Sequence, residues 1–367
     1  ITSWAPRELE FTSTPNAPMT GKFIYPLLGA SAGFRFILAL EPSIKYELRK
    51  YCEKPDTGIH AKTIANPKTA NNFFIMYVTF SLIPLTPKYT KIFLPLSIMA
   101  TQYGVKAKKG LGQHFLADES IARRIVEGLI LPEEKSQQLQ VLEIGPGTGV
   151  LTKYMLADEQ IKLEVCEIDT ESIEYLQKTY PQMLYSLQQR DFLQVPLEKI
   201  FSGEFAVIGN FPYNISSQIF FKVLDYKETI PQVVCMLQKE VAERLASGPG
   251  NKSYGILSVL LQAWYNIEYL FTVPEHVFVP PPKVKSGVIR LTRNSRTSLG
   301  CDEALFKKVV KTCFNQRRKT IRNSIKPILG KESPLLADEI FNKRPEQLSV
   351  EQFVELTNRV EAELAKE

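Results

Sequence analysis

The stretch Val141-Leu142-Glu143-Ile144-Gly145-Pro146-Gly147-Thr148-Gly149 decides the fold, because it reads as a short apolar strand that ends in a glycine-rich loop. Glycine allows a sharp turn and lets the backbone approach a ligand closely. The glycine spacing is G-x-G-x-G, which differs from the G-x-G-x-x-G fingerprint of dinucleotide-binding folds. The stretch predicts a binding loop at the end of the first strand of a sheet; the alternative is a tight strand-to-helix turn without a ligand.

Outward from this loop, apolar strands alternate with helical patterns. Strands are predicted at 140–144, 162–168, 183–188, 205–208 and 232–237, an antiparallel pair at 268–273 and 287–292, and helices over 118–129 with Asp118 as N-cap, from about 151, over 171–179 and over 239–245. Alternating strands and helices predict an α/β fold, a Rossmann-like parallel sheet with helices on both faces. After Ser298 the pattern is helical and charged, so we predict a catalytic domain over 99–298 and a small C-terminal α-helical domain over 299–367.

Residues 1–98 differ from the rest and stay unassigned. They hold 10 of the 24 prolines, at irregular spacing, so helix and strand patterns are repeatedly interrupted. The apolar stretch at 73–85 is too short for a membrane span, and no membrane association is expected. Our hypothesis is that the native protein begins at or near Met99 and that the upstream residues are not native; a genuine organelle-targeting extension is the alternative.

Composition sets wider limits on function. The five cysteines contain no CxxC pair and no His cluster accompanies them, so neither a metal site nor a disulfide framework is expected, and a cytoplasmic location fits. The formal net charge of +6 permits a nucleic-acid partner without requiring one.

Two acids follow the next strands of the predicted sheet. Glu167 ends the second strand, where a carboxylate can accept both hydroxyl protons of a ribose. Both NAD and S-adenosylmethionine contain a ribose. Asp191 follows the third strand, where it could accept the amine proton of an adenine. The alternatives are a solvated surface acid for Glu167 and a turn or N-cap aspartate for Asp191.

The segment Gly209-Asn210-Phe211-Pro212-Tyr213-Asn214 follows the fourth strand and indicates the chemistry. The exocyclic amine of adenine is a weak nucleophile, because its lone pair is delocalised into the ring. The side-chain oxygen of Asn210 and the carbonyl of Pro212 can each accept one amine hydrogen, and both bonds strengthen as charge builds on nitrogen. Tyr213 can stack on an extruded base. The alternative is a proline-containing turn with a core tyrosine.

The motifs together resemble one family, the small-subunit rRNA adenine dimethyltransferases, over about residues 103–365. They are KKGLGQHFL (108–116), EIGPGTG (143–149), CEID (166–169), Asp191, NFPYNIS (210–216), VPPPKVKSGVIRL (279–291) and QRRKTIRNSI (316–325). The resemblance implies a class I methyltransferase that uses S-adenosylmethionine and dimethylates the N6 amines of two adjacent adenosines in a hairpin near the 3′ end of small-subunit rRNA. It also implies a role in ribosome biogenesis, with the immature small subunit as partner and a monomeric enzyme.

Carried over residue by residue, the resemblance implies a set of sites. The cofactor contacts fall on His114, Leu116, Gly145, Glu167, Asp191 and Asn210. His114 is a departure, because many members carry Asn there; a contact through the backbone would survive the change. Phe278 matches a position that packs against the target base, with core packing as the alternative.

A basic stretch between 307 and 326 contains no acid in the sequence. Its candidate RNA-binding residues are Lys307, Lys308, Lys311, Arg317, Arg318, Lys319 and Arg322. Such a stretch predicts salt-dependent contacts with phosphates; the alternative is a solvated helix face.

Four other functions fit part of this pattern. A large-subunit rRNA adenine methyltransferase shares the glycine loop and the Asn-Phe-Pro-Tyr tetrad. A DNA adenine methyltransferase usually carries a separate recognition domain, which the short helical tail does not provide. An assembly or transcription factor could keep the fold without catalysis. A nicotinamide oxidoreductase is disfavoured by the glycine spacing.

Overall fold

The computed structural model describes residues 11–12, 18–19, 33–40, 59–64, 74–81, 105–183 and 186–366. The chain divides into two units, 1–104 and 105–367, and each is treated by itself. Our expectation that the native protein begins near Met99 falls on residues outside the described ones.

The first unit contains short antiparallel strands. β1 (Phe11–Thr12) pairs with β2 (Pro18–Met19), and β3 (Gly33–Leu40), β4 (Ile59–Ile64) and β5 (Phe74–Ser81) form a sheet in the order β3-β5-β4. The apolar segment noted in the sequence is thus largely the strand β5. None of the helices among the described residues is long and apolar enough to cross a membrane.

The second unit is built around a mixed sheet. Its strands and helices are β6 (Phe115–Leu116), α1 (Glu119–Val126), β7 (Leu139–Ile144), α2 (Thr152–Leu156), β8 (Ile161–Glu167), α3 (Thr170–Thr179), β9 (Leu187–Gln189), β10 (Ala206–Asn210), α4 (Ser216–Asp225), β11 (Gln232–Gln238), α5 (Lys239–Ala246), α6 (Ile256–Gln262), β12 (Tyr265–Val273), β13 (Phe278–Val279), β14 (Ser286–Arg293), α7 (Glu303–Asn315), α8 (Ile321–Ser324), α9 (Lys326–Leu329) and α10 (Val350–Leu364).

The order of the strands places a crevice at the centre of the sheet. Seven strands run in the order β12-β14-β11-β10-β7-β8-β9, and all neighbours from β11 to β9 are parallel. Chain order reverses between β7 and β10, and open α/β sheets bind ligands where this reversal occurs, beyond the carboxyl ends of the strands. β14 lies antiparallel between β11 and β12. The predicted antiparallel pairing of 268–273 with 287–292 is confirmed.

Apolar side chains fill both faces of the sheet. Consecutive residues of β7 belong to different clusters: Val141 packs on one face, with Ile208, and Leu142 on the other, with Val207. The second cluster continues into the C-terminal helices, where it includes Phe306 and Phe353. The helices after 298 therefore share a core with one face of the sheet, and the boundary at 298 stays a prediction.

The structure corrects several predicted elements. The third strand covers only Leu187–Gln189, because Met183 belongs to a short 3-10 helix over Pro181–Met183. The first helix is capped by Asp118, whose side chain accepts from the amides of Ser120 and Ile121, but it ends at Val126. The helices α4 and α6 were not predicted from the sequence.

Candidate active site

The glycine loop after β7 turns with left-handed backbone at two places that matter. Gly145 has φ 64°, and a Cβ built there would meet no atom within 4 Å. Gly147 has φ 56°, and a Cβ there would lie 2.8 Å from the ring of Phe115. The loop thus presents bare backbone to open space at Gly145 and packs tightly under an aromatic ring at Gly147.

Glu167, at the end of β8, braces this loop from the neighbouring strand. Its side chain is 4% exposed, so it is not the solvated surface acid of the alternative reading. One carboxylate oxygen accepts the amide of Gly147 at 3.1 Å, and the other accepts those of Ile168 and Asp169 at 2.8 and 2.9 Å. Burial raises the pKa of Glu167, and the three amide bonds oppose that rise.

Glu143 is a buried acid that the sequence reading passed over. It is 1% exposed, and the hydroxyl of Thr152 donates to its carboxyl group at 2.6 Å. Burial, with a smaller contribution from the charge of Glu167, raises the pKa of Glu143 to about 8. Its signal in the sequence was an acid inside an apolar strand, two residues before Gly145.

Asp191 closes a turn in this structure. Its Oδ1 accepts the amide of Leu193 at 2.9 Å, and its Oδ2 accepts from the side chain of Gln194 at 3.3 Å. This is the turn geometry given as the alternative, so its predicted contact with a cofactor adenine stays a prediction.

The segment 108–116 is fixed at two points along the crevice. Near its start, Lys108 forms an ion pair with Asp169, and Gln113 donates to the same carboxylate at 3.1 Å. Near its end, the side-chain amide of Asn210 donates to the carbonyl oxygen of His114 at 2.9 Å. Leu116 is buried in β6. The segment therefore runs from the end of β8 to the end of β10.

The bond from Asn210 also fixes the orientation of its amide. A carbonyl oxygen only accepts, so the nitrogen of Asn210 must face His114 and the oxygen must point the other way. The carbonyl of Pro212 accepts the amide of Ile215 at 3.2 Å, which uses one of its two lone pairs. Each group thus retains acceptor capacity for an amine hydrogen.

Tyr213 lies beside these acceptors with its hydroxyl engaged. The hydroxyl shares a hydrogen bond of 2.6 Å with Oγ of Ser286, and the ring stacks on that of His114 with centroids 5.7 Å apart. Burial raises the pKa of Tyr213 above its usual value, so the hydroxyl stays neutral at physiological pH.

The comparison with known proteins now decides the family. The model of a family described as "Ribosomal RNA adenine dimethylase" matches residues 104–362. The chain belongs to the ribosomal RNA adenine dimethylase family. The resemblance seen in the motifs is confirmed, and the chain is a methyltransferase with the expected Rossmann-like fold.

Three relatives illustrate the match. The ribosomal RNA small subunit methyltransferase A of Parabacteroides distasonis is 64% identical over 253 residues, 69% of this chain and 93% of the relative. That of Phocaeicola vulgatus is 60% identical over 262 residues, 71% and 91% of the two chains. The crystal structure of a dimethyladenosine transferase from Plasmodium falciparum has a TM-score of 0.56 at 24% identity, covers 68% of this chain and 98% of its own, and shows the fold.

Phe278 lies in the core of this dimethylase. It is completely buried and its strand β13 pairs with β6, with Phe278 opposite Leu116. The structure therefore shows the core packing given as the alternative, and contact with a base stays a prediction.

The basic stretch is less uniform in space than in the sequence. Lys308, Lys311, Arg318 and Lys319 are exposed, as phosphate contacts require. Lys307, however, lies 3.8 Å from Asp225 of α4, and Arg317 donates to the carbonyl of Lys252. Although the sequence stretch contains no acid, the fold thus brings an acid, Asp225, close to Lys307.

Among the described residues, no cluster of His, Cys, Asp and Glu suits a metal ion.

Proposed function

We propose that this dimethylase transfers methyl groups from S-adenosylmethionine to the N6 amines of two adjacent adenosines in a hairpin near the 3′ end of small-subunit rRNA. The orientation of Asn210 is the observation that carries the proposal, because it directs an amide oxygen to accept an amine hydrogen. The names of the curated relatives support the small subunit as substrate. An immature small ribosomal subunit in the cytoplasm is the partner that fits, with the enzyme acting as a monomer.

The crevice has groups that suit the cofactor. S-adenosylmethionine supplies an electrophilic methyl group on a positively charged sulfur. The bare backbone at Gly145 permits close approach, and the buried carboxylate of Glu167 is an acceptor that suits a ribose. Ile168 follows it and is 52% exposed, so it offers an apolar surface suited to an adenine ring. His114, Leu116 and Asp191 complete the proposed contacts.

The chain's own residues do the rest of the chemistry by position. The oxygen of Asn210 and the carbonyl of Pro212 hold the amine hydrogens, so that the nitrogen lone pair points at the methyl group. Both bonds strengthen as positive charge develops on nitrogen, which favours the transition state over the ground state. Tyr213 supplies a flat ring on which the extruded adenine stacks. The product ammonium is acidic enough to lose its proton to water.

The test is transfer to defined ribosomal particles. The purified protein is incubated with radiolabelled S-adenosylmethionine and small subunits that lack adenine dimethylation, and the digested rRNA is searched for labelled dimethyladenosine. We expect label in the small-subunit hairpin and its loss in Asn210→Ala. The matched control is Asn266→Ala, which changes an exposed asparagine of β12 at the far edge of the sheet.

Two results would contradict the proposal. If label enters unmethylated large-subunit rRNA instead, the substrate is large-subunit rRNA and not the proposed hairpin. Cofactor binding without transfer to any RNA would favour an assembly factor that lacks catalysis.

A further inference from the structure

The ring of Tyr213 is held from two sides. At its far end, the hydroxyl shares a hydrogen bond of 2.6 Å with Ser286. On one face, the imidazole of His114 lies 5.7 Å away, with the two planes inclined by 30°. A tyrosine side chain has two rotatable bonds, so a fixed hydroxyl and a covered face together restrict its orientation.

Both partners of Tyr213 are themselves fixed. Ser286 is completely buried at the start of β14, where it is paired with Gln238 on one side and Val273 on the other. The Nδ1–H of His114 donates to the carbonyl of Pro280 at 2.8 Å, since a carbonyl oxygen can only accept. The two groups that contact the Tyr213 ring, Ser286 and His114, are therefore held in place by the strand β14 and by a hydrogen bond.

We propose that Ser286 and His114 are positioning residues, which hold the Tyr213 ring in the orientation that stacks on the target adenine. The proposal rests on the proposed function and deepens it. His114 stacks against the ring from one side, so we place the adenine on the opposite side. Holding the ring in advance lowers the entropy lost on stacking, so the benefit falls on turnover with RNA and not on cofactor binding.

The hydroxyl bond can be removed from either side. Ser286→Ala and Tyr213→Phe each delete one partner and keep the ring, and the double variant deletes both. We expect each single variant to lower kcat/KM for RNA about three- to tenfold, the effect of one neutral buried hydrogen bond. The double variant should be no slower than either single variant, because all three lose the same bond.

Two measurements separate positioning from a structural defect. The dissociation constant for S-adenosylmethionine should stay unchanged in all three variants. The control is Thr272→Ala, which removes an exposed hydroxyl partner of Tyr269, 2.8 Å away on β12, and should act at the wild-type rate. Additive losses in the double variant, or single variants with wild-type rates, would overturn the proposal.

The role of the His114 ring is tested by variants that remove it or replace it. His114→Asn keeps the backbone carbonyl that Asn210 contacts but removes the aromatic face, and we expect a severalfold loss of kcat/KM for RNA. His114→Phe restores a face without the nitrogen and should recover part of the loss. Equal rates for the two variants would overturn the role of stacking. If the wild-type protein methylates no RNA at all, the proposed function fails instead, before any variant is compared.

The loop before β14 carries an exposed apolar side chain among charged neighbours. Val284 has 46% of its side chain exposed, and it stands between two exposed lysines, Lys283 and Lys285. The loop is fixed close to this tip, because the carbonyl of Lys285 accepts the amide of Lys239 at 2.9 Å and Ser286 holds Tyr213. This apolar side chain between two cations thus lies two residues before Ser286, the hydrogen-bond partner of Tyr213.

We infer that the tip 283–285 contacts the rRNA loop from which the adenine is extruded, again on the basis of the proposed function. The two lysines neutralise phosphates, and Val284 packs on a base left unstacked by the extrusion. The charge of the tip suits a nucleic acid, and its link through Ser286 to Tyr213 directs the contact to nucleotides next to the target.

Salt dependence tests the lysines. The double variant Lys283→Ala/Lys285→Ala should weaken RNA binding and flatten the plot of log affinity against log salt by about 1.4 units, for two single-strand phosphate contacts. The control pair, Lys135→Ala/Lys162→Ala, removes two exposed lysines, one of them at the amino end of β8. Equal slopes for both double variants would overturn the inference.

Val284→Ser tests the apolar contact. We expect a severalfold rise in KM for RNA, with no change in cofactor affinity. Ile130→Ser is the matched control, because Ile130 is 47% exposed and its backbone lies against Gln232, at the amino end of β11. The same KM in both variants would count against the contact.

Discussion

At the scale of single residues, Glu143 should make stability depend on pH. Its pKa rises from an ordinary acid value to about 8 in the folded protein because burial disfavours the charged form. The folded state thus binds a proton that the unfolded state has lost between about pH 4.5 and pH 8. The contribution of this group is full below that window and is lost as the pH rises through it.

Glu143→Gln should remove this dependence, because the amide is neutral at every pH and can still accept from Thr152. Between pH 5 and pH 8 the free energy of unfolding of the variant, relative to that of wild type, should rise by a few kcal/mol, an order of magnitude only. Urea unfolding at several pH values measures it, with Glu204→Gln, a change at an exposed acid, as control. A constant difference across the range would contradict the prediction.

Gly145 offers a second prediction at this scale. Gly145 and Gly300 both have positive φ, 64° and 72°, and a Cβ at either would meet nothing within 4 Å. Changing either to Ala should therefore cost about 1 kcal/mol of stability through backbone strain alone. Only Gly145→Ala should also weaken binding of S-adenosylmethionine, as measured by calorimetry, because only that Cβ enters the crevice. If the two variants bind S-adenosylmethionine with equal affinity, Gly145 does not contribute to the cofactor site.

The sequence was a good guide to some residues of the site and a poor guide to others. The order of Gly145, Glu167 and Asn210 could be read because each lies at the carboxyl end of a strand, and parallel strands bring their carboxyl ends together. The partnership of Ser286 with Tyr213 could not be read, since the two are 73 positions apart and only the fold brings them together. Glu143 was passed over because an acid within a strand carries no periodic signal.

At the scale of elements, Asp169 joins α3 to the segment 108–116. It accepts the amide of Glu171 as N-cap of α3 and also holds Lys108 and Gln113. Burial raises the pKa of Asp169, but its hydrogen bonds to Lys108, Gln113 and Ser172 outweigh that effect and bring it below the usual value. Asp169 is thus ionised where it pairs with Lys108 and accepts from Gln113.

Asp169→Asn should separate these two roles, because asparagine is also a good N-cap. We expect α3 to remain, amide exchange over 108–116 to accelerate, and the cofactor dissociation constant to rise about two- to tenfold through loss of the charged contact. Hydrogen exchange by mass spectrometry gives the first result. Asp302→Asn, at the N-cap of α7, is the control. Unchanged exchange over 108–116 would show that Lys108 does not fix the segment.

Whole elements were predicted with unequal success for a physical reason. The central strands are buried on both faces and read as mainly apolar runs, so β7, β10 and β11 were located within two residues. The edge strand β9 has only three residues and none is buried, so its pattern was indistinct. Helix α4 begins at Ser216, three residues after Tyr213, and no capping side chain marks its start.

At the scale of the molecule, the main question is whether the C-terminal helices form a domain of their own. Phe353 of α10 and Trp264, in the turn before the edge strand β12, belong to one cluster, with 0% and 4% exposure. A shared core favours unfolding in a single step, since neither part can bury its apolar face alone. The charged helical pattern after Ser298 suggested a boundary because sequence shows the exposed faces of helices and not what their buried faces touch.

Phe353→Ala distinguishes the two cases. Loss of this ring from a packed core should cost about 3–5 kcal/mol. If the core is shared, the free energy of unfolding should fall by the same amount whether it is measured by Trp264 fluorescence or by amide exchange in α10. One transition then exposes both sites. The measurement needs Trp4→Phe as background, since the chain has two tryptophans. If amide exchange in α10 becomes faster while the Trp264 transition stays in place, the helices after 298 unfold independently and the predicted domain boundary is correct.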